Sequence, residues 1–392
     1  CLLLALSLST NSLWAQEKDA LMEEVENKLY MREYAKAFRL LHHADSFNLN
    51  AKIVLKKHEI ASQFFIQNEK FVKFSFIDID PTKIIEDYRG KAYSDKFYEL
   101  PFHKIYANLI QKYPNQINLK AALIEYYFQA YMFYGDDWVL PSDTIFTFIN
   151  KGVQELEAMK KSEARQYFIL GYTLLAQRRT KEAIVYLNRA YLTDSKNGEL
   201  NFNLGAAYEQ IYDADSSIKY YKNAIAYYED SVNKSEAAFK VGYIYEANNK
   251  KDYALTYYKM SYKISKNNYY AIRSLLKYLV AENRNGSNEM LAALYYLVPE
   301  STMLYNDLYD IYYFANRLND LRDFYIAQLE IFKEKNRVMG HLYFYLSQIE
   351  KEKNKEKALD YLKRARFYYL TYLPNSHPIM KVVETGMKEL SE

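Results

Sequence analysis

The sequence predicts an all-α chain assembled from repeated helix pairs, and three observations carry that prediction. First, a seven-position pattern recurs between residues 164 and 268. It begins as Tyr167, Leu170, Gly171, Leu174, Ala183, Leu187 and Ala190. The second copy follows 34 residues on, as Asn201, Leu204, Gly205, Tyr208, Ser217, Tyr221 and Ala224. After a three-residue slip comes Ala238, Val241, Gly242, Tyr245, Ala254, Tyr258 and Ser261. Second, 10 Gly and 7 Pro in 392 residues are too few to punctuate a chain of short strands and turns. Third, no strand-and-turn rhythm is visible outside the repeats.

Close packing of antiparallel helices explains the pattern. Gly171, Gly205 and Gly242 fall in mid-helix, where Gly costs about 1 kcal/mol relative to Ala. That cost is tolerated where a side chain would hold the neighbouring helix away. Ala183 and Ala254 are expected to supply the small surface on the facing helix, and Ala190 and Ala224 the contact to the next repeat. A large residue, Leu-Gly and Tyr, then Ala, Leu or an aromatic, and Ala, at a period of 34, resembles the tetratricopeptide repeat. The resemblance spans 164–373 and implies a right-handed superhelical solenoid of helix-turn-helix repeats, with an irregular helical part before it.

Taken in order, Cys1–Leu8 is an apolar run followed by a polar stretch and Leu13-Trp14-Ala15-Gln16. Residues 1–16 are expected to be part of a secretory signal peptide cleaved after Ala15, similar to leaders of Bacteroidetes envelope proteins. A lipidated Cys1 and a buried N-terminal helix are the other readings of this stretch. Cleavage would remove the single cysteine, so disulfides are expected to play no part. Residues 17–160 read as a divergent helical-repeat region of about four irregular pairs. Within it, Ala37 and Leu41 copy the repeat signature, Ile53–Phe76 reads as one long helix, Ile117–Tyr134 as another, and Ser142 starts a third. Residues 161–373 form the repeat array, with Asn285-Gly286 as an internal turn and Glu350–Lys357 as a solvated turn. Residues 374–392, opened by Pro378 and striped by Ile379, Val383, Met387 and Leu390, read as a capping helix.

Composition narrows the function classes. The 52 basic and 49 acidic residues nearly cancel, giving no electrostatic case for nucleic acid or an anionic membrane surface. No stretch approaches the length of a transmembrane helix; membrane attachment by other means stays open. Six scattered histidines lack metal-ligand spacing, and every Gly is isolated, so no phosphate-binding loop is present. Neither a metal nor a cofactor is expected, and no catalytic residue is assigned. Asp78-Ile79-Asp80 and Asp136-Asp137 read as helix caps.

Tyrosine is the excess residue, with 43 copies, many in doublets. Adjacent helical residues face different directions, so one of each doublet is expected to pack while the other is at least partly exposed. Tyr221 and Tyr258 take core positions; Tyr220 and Tyr257 do not. Tetratricopeptide arrays usually bind partners in a concave groove lined by first helices. The resemblance places that groove at Arg165, Phe168 and Tyr172; at Glu199, Phe202, Asn203 and Ala206; and at Glu236, Phe239, Lys240 and Tyr243. Asn203 and Lys240 match the clamp some members close on a partner's terminal carboxylate, whereas Phe168, Tyr172 and Glu236 depart from it. The expected function is therefore a non-catalytic scaffold of the bacterial cell envelope (periplasmic or outer-membrane associated) that binds a protein or peptide through an aromatic, mixed-charge groove. The alternative is an envelope component that captures a peptide or glycan ligand.

Overall fold

The computed structural model describes residues 20–91 and 96–392. The expected leader lies outside the described residues. The chain divides into two compact units, Cys1–Ser195 and Lys196–Glu392. Both are built of helices, in keeping with the all-α expectation.

In the first unit, helix α1 (20–30) is followed by α2 (Tyr34–Ala44) and α3 (Ala51–Phe64). The chain then forms a small antiparallel sheet, β1 (Gln67–Glu69), β2 (Lys73–Ser75) and β3 (Tyr98–Glu99), in that order, with Gln67 opposite Ser75 and Lys73 opposite Glu99. Helices α4 (Phe102–Lys112), α5 (Ile117–Tyr134), α6 (Ser142–Ala158), α7 (Ala164–Ala176) and α8 (Thr180–Tyr191) complete it.

The sheet corrects two expectations, the absence of strands and the single helix over Ile53–Phe76. Lys70 and Phe71 adopt positive φ of 48° and 56°, which closes the hairpin. Tyr126 holds the left-handed Phe71 by two contacts: the rings stack at 5.1 Å, and the Tyr126 hydroxyl donates to the Phe71 carbonyl at 2.5 Å. A short apolar run such as Phe71–Ile79 does not distinguish helix from strand by period. Asp78, just beyond the sheet, accepts from the Lys36 amide at 3.1 Å and so caps α2 from 42 residues away. Asp136 accepts from the Ser142 amide at 2.9 Å at the start of α6.

The second unit runs α9 (Gly198–Gln210), α10 (Ala214–Tyr227), α11 (Ser231–Ala247), α12 (Lys251–Ile264), α13 (Tyr269–Ala281) and α14 (Ser287–Leu297). It continues with α15 (Thr302–Phe314), α16 (Leu318–Ile331), α17 (Asn336–Glu350), α18 (Lys355–Leu370) and α19 (Pro378–Ser391). Consecutive helices pair, and each pair packs against the next. Gly286 opens α14 with φ 93°, as the Asn-Gly turn suggests. Glu350, expected in solvent, is buried at the end of α17, with Arg322 and Lys357 nitrogens each 3.6 Å from its carboxylate.

The glycine notches are real, but what fills them differs from the expectation. A Cβ on Gly171 would lie 2.7 Å from Leu187; on Gly205, 2.8 Å from the Tyr221 ring; on Gly242, 2.7 Å from the Tyr258 ring. A large side chain therefore lies across each glycine, 16 positions later in the chain, instead of a small one. Ala183, Ala190, Ala224 and Ala254 are fully buried, and the Ala254 carbonyl oxygen lies 3.2 Å from the Gly242 position. Two tyrosine doublets also break the one-in, one-out rule: Tyr126 and Tyr127 are both buried, and Tyr220 is buried against Tyr208 at 5.4 Å.

Candidate functional site

First helices α9, α11 and α13 of the second unit bring their repeat positions onto one face. Between α11 and α13 they line a cleft of about 550 Å³. Four of the residues expected in the groove, Glu236, Phe239, Lys240 and Tyr243, line it. Stepping 34 residues from these four gives Tyr270, Arg273, Ser274 and Lys277, which line the opposite wall. Sequence reasoning missed them because the fourth repeat has lost its glycine (Leu276 replaces it) and lengthened its internal turn. The 34-residue step itself was the signal that could have found them.

The remaining expected positions fare differently. Phe202 is half-buried, packed edge-on against Tyr221 at 5.1 Å. Asn203 is 9% exposed and donates to the Glu199 carbonyl at 2.9 Å, so it has little left to offer a carboxylate. Glu199 is exposed on the first turn of α9, and Ala206 lines a neighbouring cleft between α9 and α11. In the first unit, Phe168 is 5% exposed and belongs to the core, not to an open groove wall. Its neighbours are Phe128 at 6.3 Å and the half-buried Tyr172 at 6.2 Å. Arg165 lies over both Phe128 and Phe168 and makes a two-pronged ion pair with Glu125 at 2.9 and 2.7 Å.

Charges in the cleft follow a repeating scheme. The Tyr221 hydroxyl, reaching over its notch, donates to Glu209 at 2.7 Å, and Glu209 pairs with Lys240 of the next first helix at 3.4 Å. One repeat later the Tyr258 hydroxyl donates to Glu246 at 2.5 Å, and Glu246 pairs with Lys277 at 2.8 Å. Arg273 pairs with Asp307 at 2.7 Å. Each of these cations thus has a carboxylate. Burial raises the Glu246 carboxyl, but hydrogen bonds from Lys277 and Tyr258 outweigh it and hold it below the usual range. Glu236 goes the other way: burial pushes it up, while Lys240 and a 3.5 Å hydrogen bond from the Asn268 amide offset only part of that.

The aromatic component is continuous. The Phe239 ring lies 6.4 Å from Tyr243 and 5.7 Å from Tyr270, all at shallow tilts. Tyr243 and Tyr270 keep 49% and 50% of their surface open. Open aromatic surface beside fixed charges is the composition of a recognition cleft. Among the described residues, no cluster of His, Cys, Asp and Glu could hold a metal ion, and no helix is long and apolar enough to cross a membrane.

No family model matches the sequence, and no curated protein does. Among solved structures, the C-terminal part of a tetratricopeptide-repeat protein from Cytophaga hutchinsonii is 12% identical, with 73% of this chain and 93% of that one covered and a TM-score of 0.42. YrrB, described as a tetratricopeptide protein with an unusual peptide-binding site, is 14% identical over 57% of this chain and 93% of its own, with a TM-score of 0.33. MamA is 21% identical over 41% and 85%, with a TM-score of 0.35. Likeness this distant adds nothing to the site. The 34-residue period, the glycine notches and the helix pairs packed through them give this chain the helix-turn-helix repeat architecture of the tetratricopeptide fold.

Proposed function

We propose that the chain is a non-catalytic interaction scaffold whose second unit captures a segment of a partner protein in the cleft between α11 and α13. The observation that carries this reading is the strip Tyr243–Phe239–Tyr270, half open and bordered by paired charges, on the face formed by first helices. Tyrosines anchor interfaces because they offer a large amphipathic surface at low entropy cost. An extended or helical peptide would lay apolar side chains on the rings and its polar groups among the flanking charges. We place the protein in the bacterial cell envelope, a reading supported by the composition of residues 1–16 alone. Subcellular fractionation of the full-length product tests that placement separately.

The binding test uses peptides selected from a display library on the full chain and the double variant Tyr243→Ala/Tyr270→Ala. Both side chains are half exposed, so the variant should keep its helicity and melting temperature. Loss of peptide binding of about 2 kcal/mol or more is expected if the rings are anchors. Unchanged affinity would move the binding surface elsewhere, and selection of glycans over peptides would favour a ligand-capture protein.

A further inference from the structure

We infer that the cleft selects a cationic side chain, a lysine or arginine of the partner segment, seated between the Glu236 carboxylate and the ring strip Tyr243–Phe239–Tyr270. This rests on the peptide-capture reading above and specifies its chemistry.

The inference comes from an imbalance of charge. Lys240, Lys277 and Arg273 are each within 4 Å of a carboxylate, namely Glu209, Glu246 and Asp307. Glu236 lines the same cleft, yet among the described residues it forms no ion pair. Its hydrogen bond from Asn268 is long, at 3.5 Å, and Asn268 is also engaged elsewhere: its side-chain oxygen caps α13 and its amide reaches Ser235 at 3.1 Å. A half-buried carboxylate whose nearest cation, Lys240, is ion-paired with Glu209 is only partly compensated, an unfavourable arrangement that a ligand cation would relieve.

The rings supply the second half of the site. An ammonium or guanidinium gains from an aromatic face within about 6 Å, more so when desolvated. Lys240 already lies 5.9 Å from the centre of the Tyr243 ring, so this ring accepts a cation in the unliganded protein. Tyr270 approaches from α13 and has open surface on the same cleft. A cation entering between them would meet a carboxylate and two aromatic faces, whereas a carboxylate entering there would meet Glu236 and find Lys240, Arg273 and Lys277 already paired with carboxylates of the protein. The same feature explains why the terminal-carboxylate clamp is incomplete in this chain.

The test pans a random-peptide display library on the full chain. The probe is the most enriched peptide, synthesised as selected and again with norleucine for each lysine and citrulline for each arginine. Lysine or arginine should be enriched at one position. Removing that charge, or making Glu236→Gln, should weaken binding on the order of thirtyfold. Combining the two changes should weaken it little further. Enriched peptides without a cationic residue, or full affinity in Glu236→Gln, would overturn the cation site while leaving peptide capture intact, provided Tyr243→Ala/Tyr270→Ala still abolishes binding. Indifference to the tyrosine changes, or no enrichment at all, would remove both readings.

Discussion

Gly205→Ala tests the packing on which the site is built. The new Cβ would sit 2.8 Å from Cγ and Cδ1 of Tyr221 and 2.9 Å from Cε1. These are atoms of a rigid, fully buried ring, so the clash is not relieved by swinging a flexible tip. Overpacking of this kind costs about 1–3 kcal/mol. Displacing the ring also strains the hydrogen bond from its hydroxyl to the Glu209 carboxylate, worth about 1.5 kcal/mol. Better helix propensity returns about 1 kcal/mol. The net expectation is a loss of about 1.5–3.5 kcal/mol, or a fall of roughly 4–10 °C in the melting transition of a unit this size. Thermal unfolding followed by far-ultraviolet circular dichroism reads it, and Tyr221→Ala supplies the control background. With the ring removed, Gly205→Ala should no longer cost stability and should gain about 1 kcal/mol from propensity. The same loss on both backgrounds would show that Tyr221 does not fill the notch.

Three further outcomes are expected. Asp78→Ala removes the distant cap of α2 and should cost about 1 kcal/mol; a transition unmoved from wild type would mean that water replaces the carboxylate without penalty. Glu236 faces Lys240 on its own helix, Glu209 from α9 and the Asn268 amide, and its folded carboxyl is raised mainly by burial. Protonation therefore stabilises the fold, fully below the unfolded value near about pH 4.3 and no longer once pH passes the folded value. Glu236→Gln, which mimics the protonated form, should melt above wild type at pH 7 and level with it near pH 4; a lower melting point at pH 7 would contradict the uncompensated charge. Lys57 is fully buried, donating to the Asp45 carbonyl and to Asn48 Oδ1 at 2.7 Å, and burial lowers it to about 8. The folded chain thus releases this proton before the unfolded chain does, so stability should rise from about pH 8 to about pH 10.4. Lys57→Met should flatten that rise, and an unchanged slope would assign it to another group.

Legibility in the sequence followed the strength of the repeat. Where Gly and Leu or an aromatic recur at a fixed step, from Gly171 to Tyr258, helix positions and notch positions were both readable, because each repeat solves the same packing problem. The identity of the notch filler was not: a glycine announces close approach without saying whether a backbone or a ring approaches. The sheet over 67–99 was hidden because it depends on Tyr126 and the left-handed Phe71, partners 55 residues apart. Burial of Phe168 was missed for a related reason, since its neighbour Phe128 lies in the irregular part where no register was available. In the cleft, the repeat positions put Glu236, Phe239, Lys240 and Tyr243 of α11 along one wall, while Arg273 and Tyr270 required extending the step into a repeat that had lost its marker glycine.

The packing device and the charge pattern of the cleft have one origin. With glycine on the first helix, the second helix can carry tyrosine in place of leucine, and the ring spans the notch to bring its hydroxyl beside the first helix. Leu187 fills the Gly171 notch without such a group, and the corresponding position one turn after Gly171 is the apolar Leu175. Where the filler is Tyr221 or Tyr258, that position is Glu209 or Glu246, and the phenol fixes the carboxylate. A fixed carboxylate then holds the lysine of the next first helix, Lys240 or Lys277. Lys240 is the basic side chain four residues after Glu236, the usual spacing for a helical ion pair. Because Glu209 holds that lysine from the neighbouring helix, Glu236 is left unmatched. The carboxylate available to a ligand is thus a consequence of which residue fills the notch one repeat earlier, so a change at Tyr221 should alter recognition at Glu236 without touching the cleft itself.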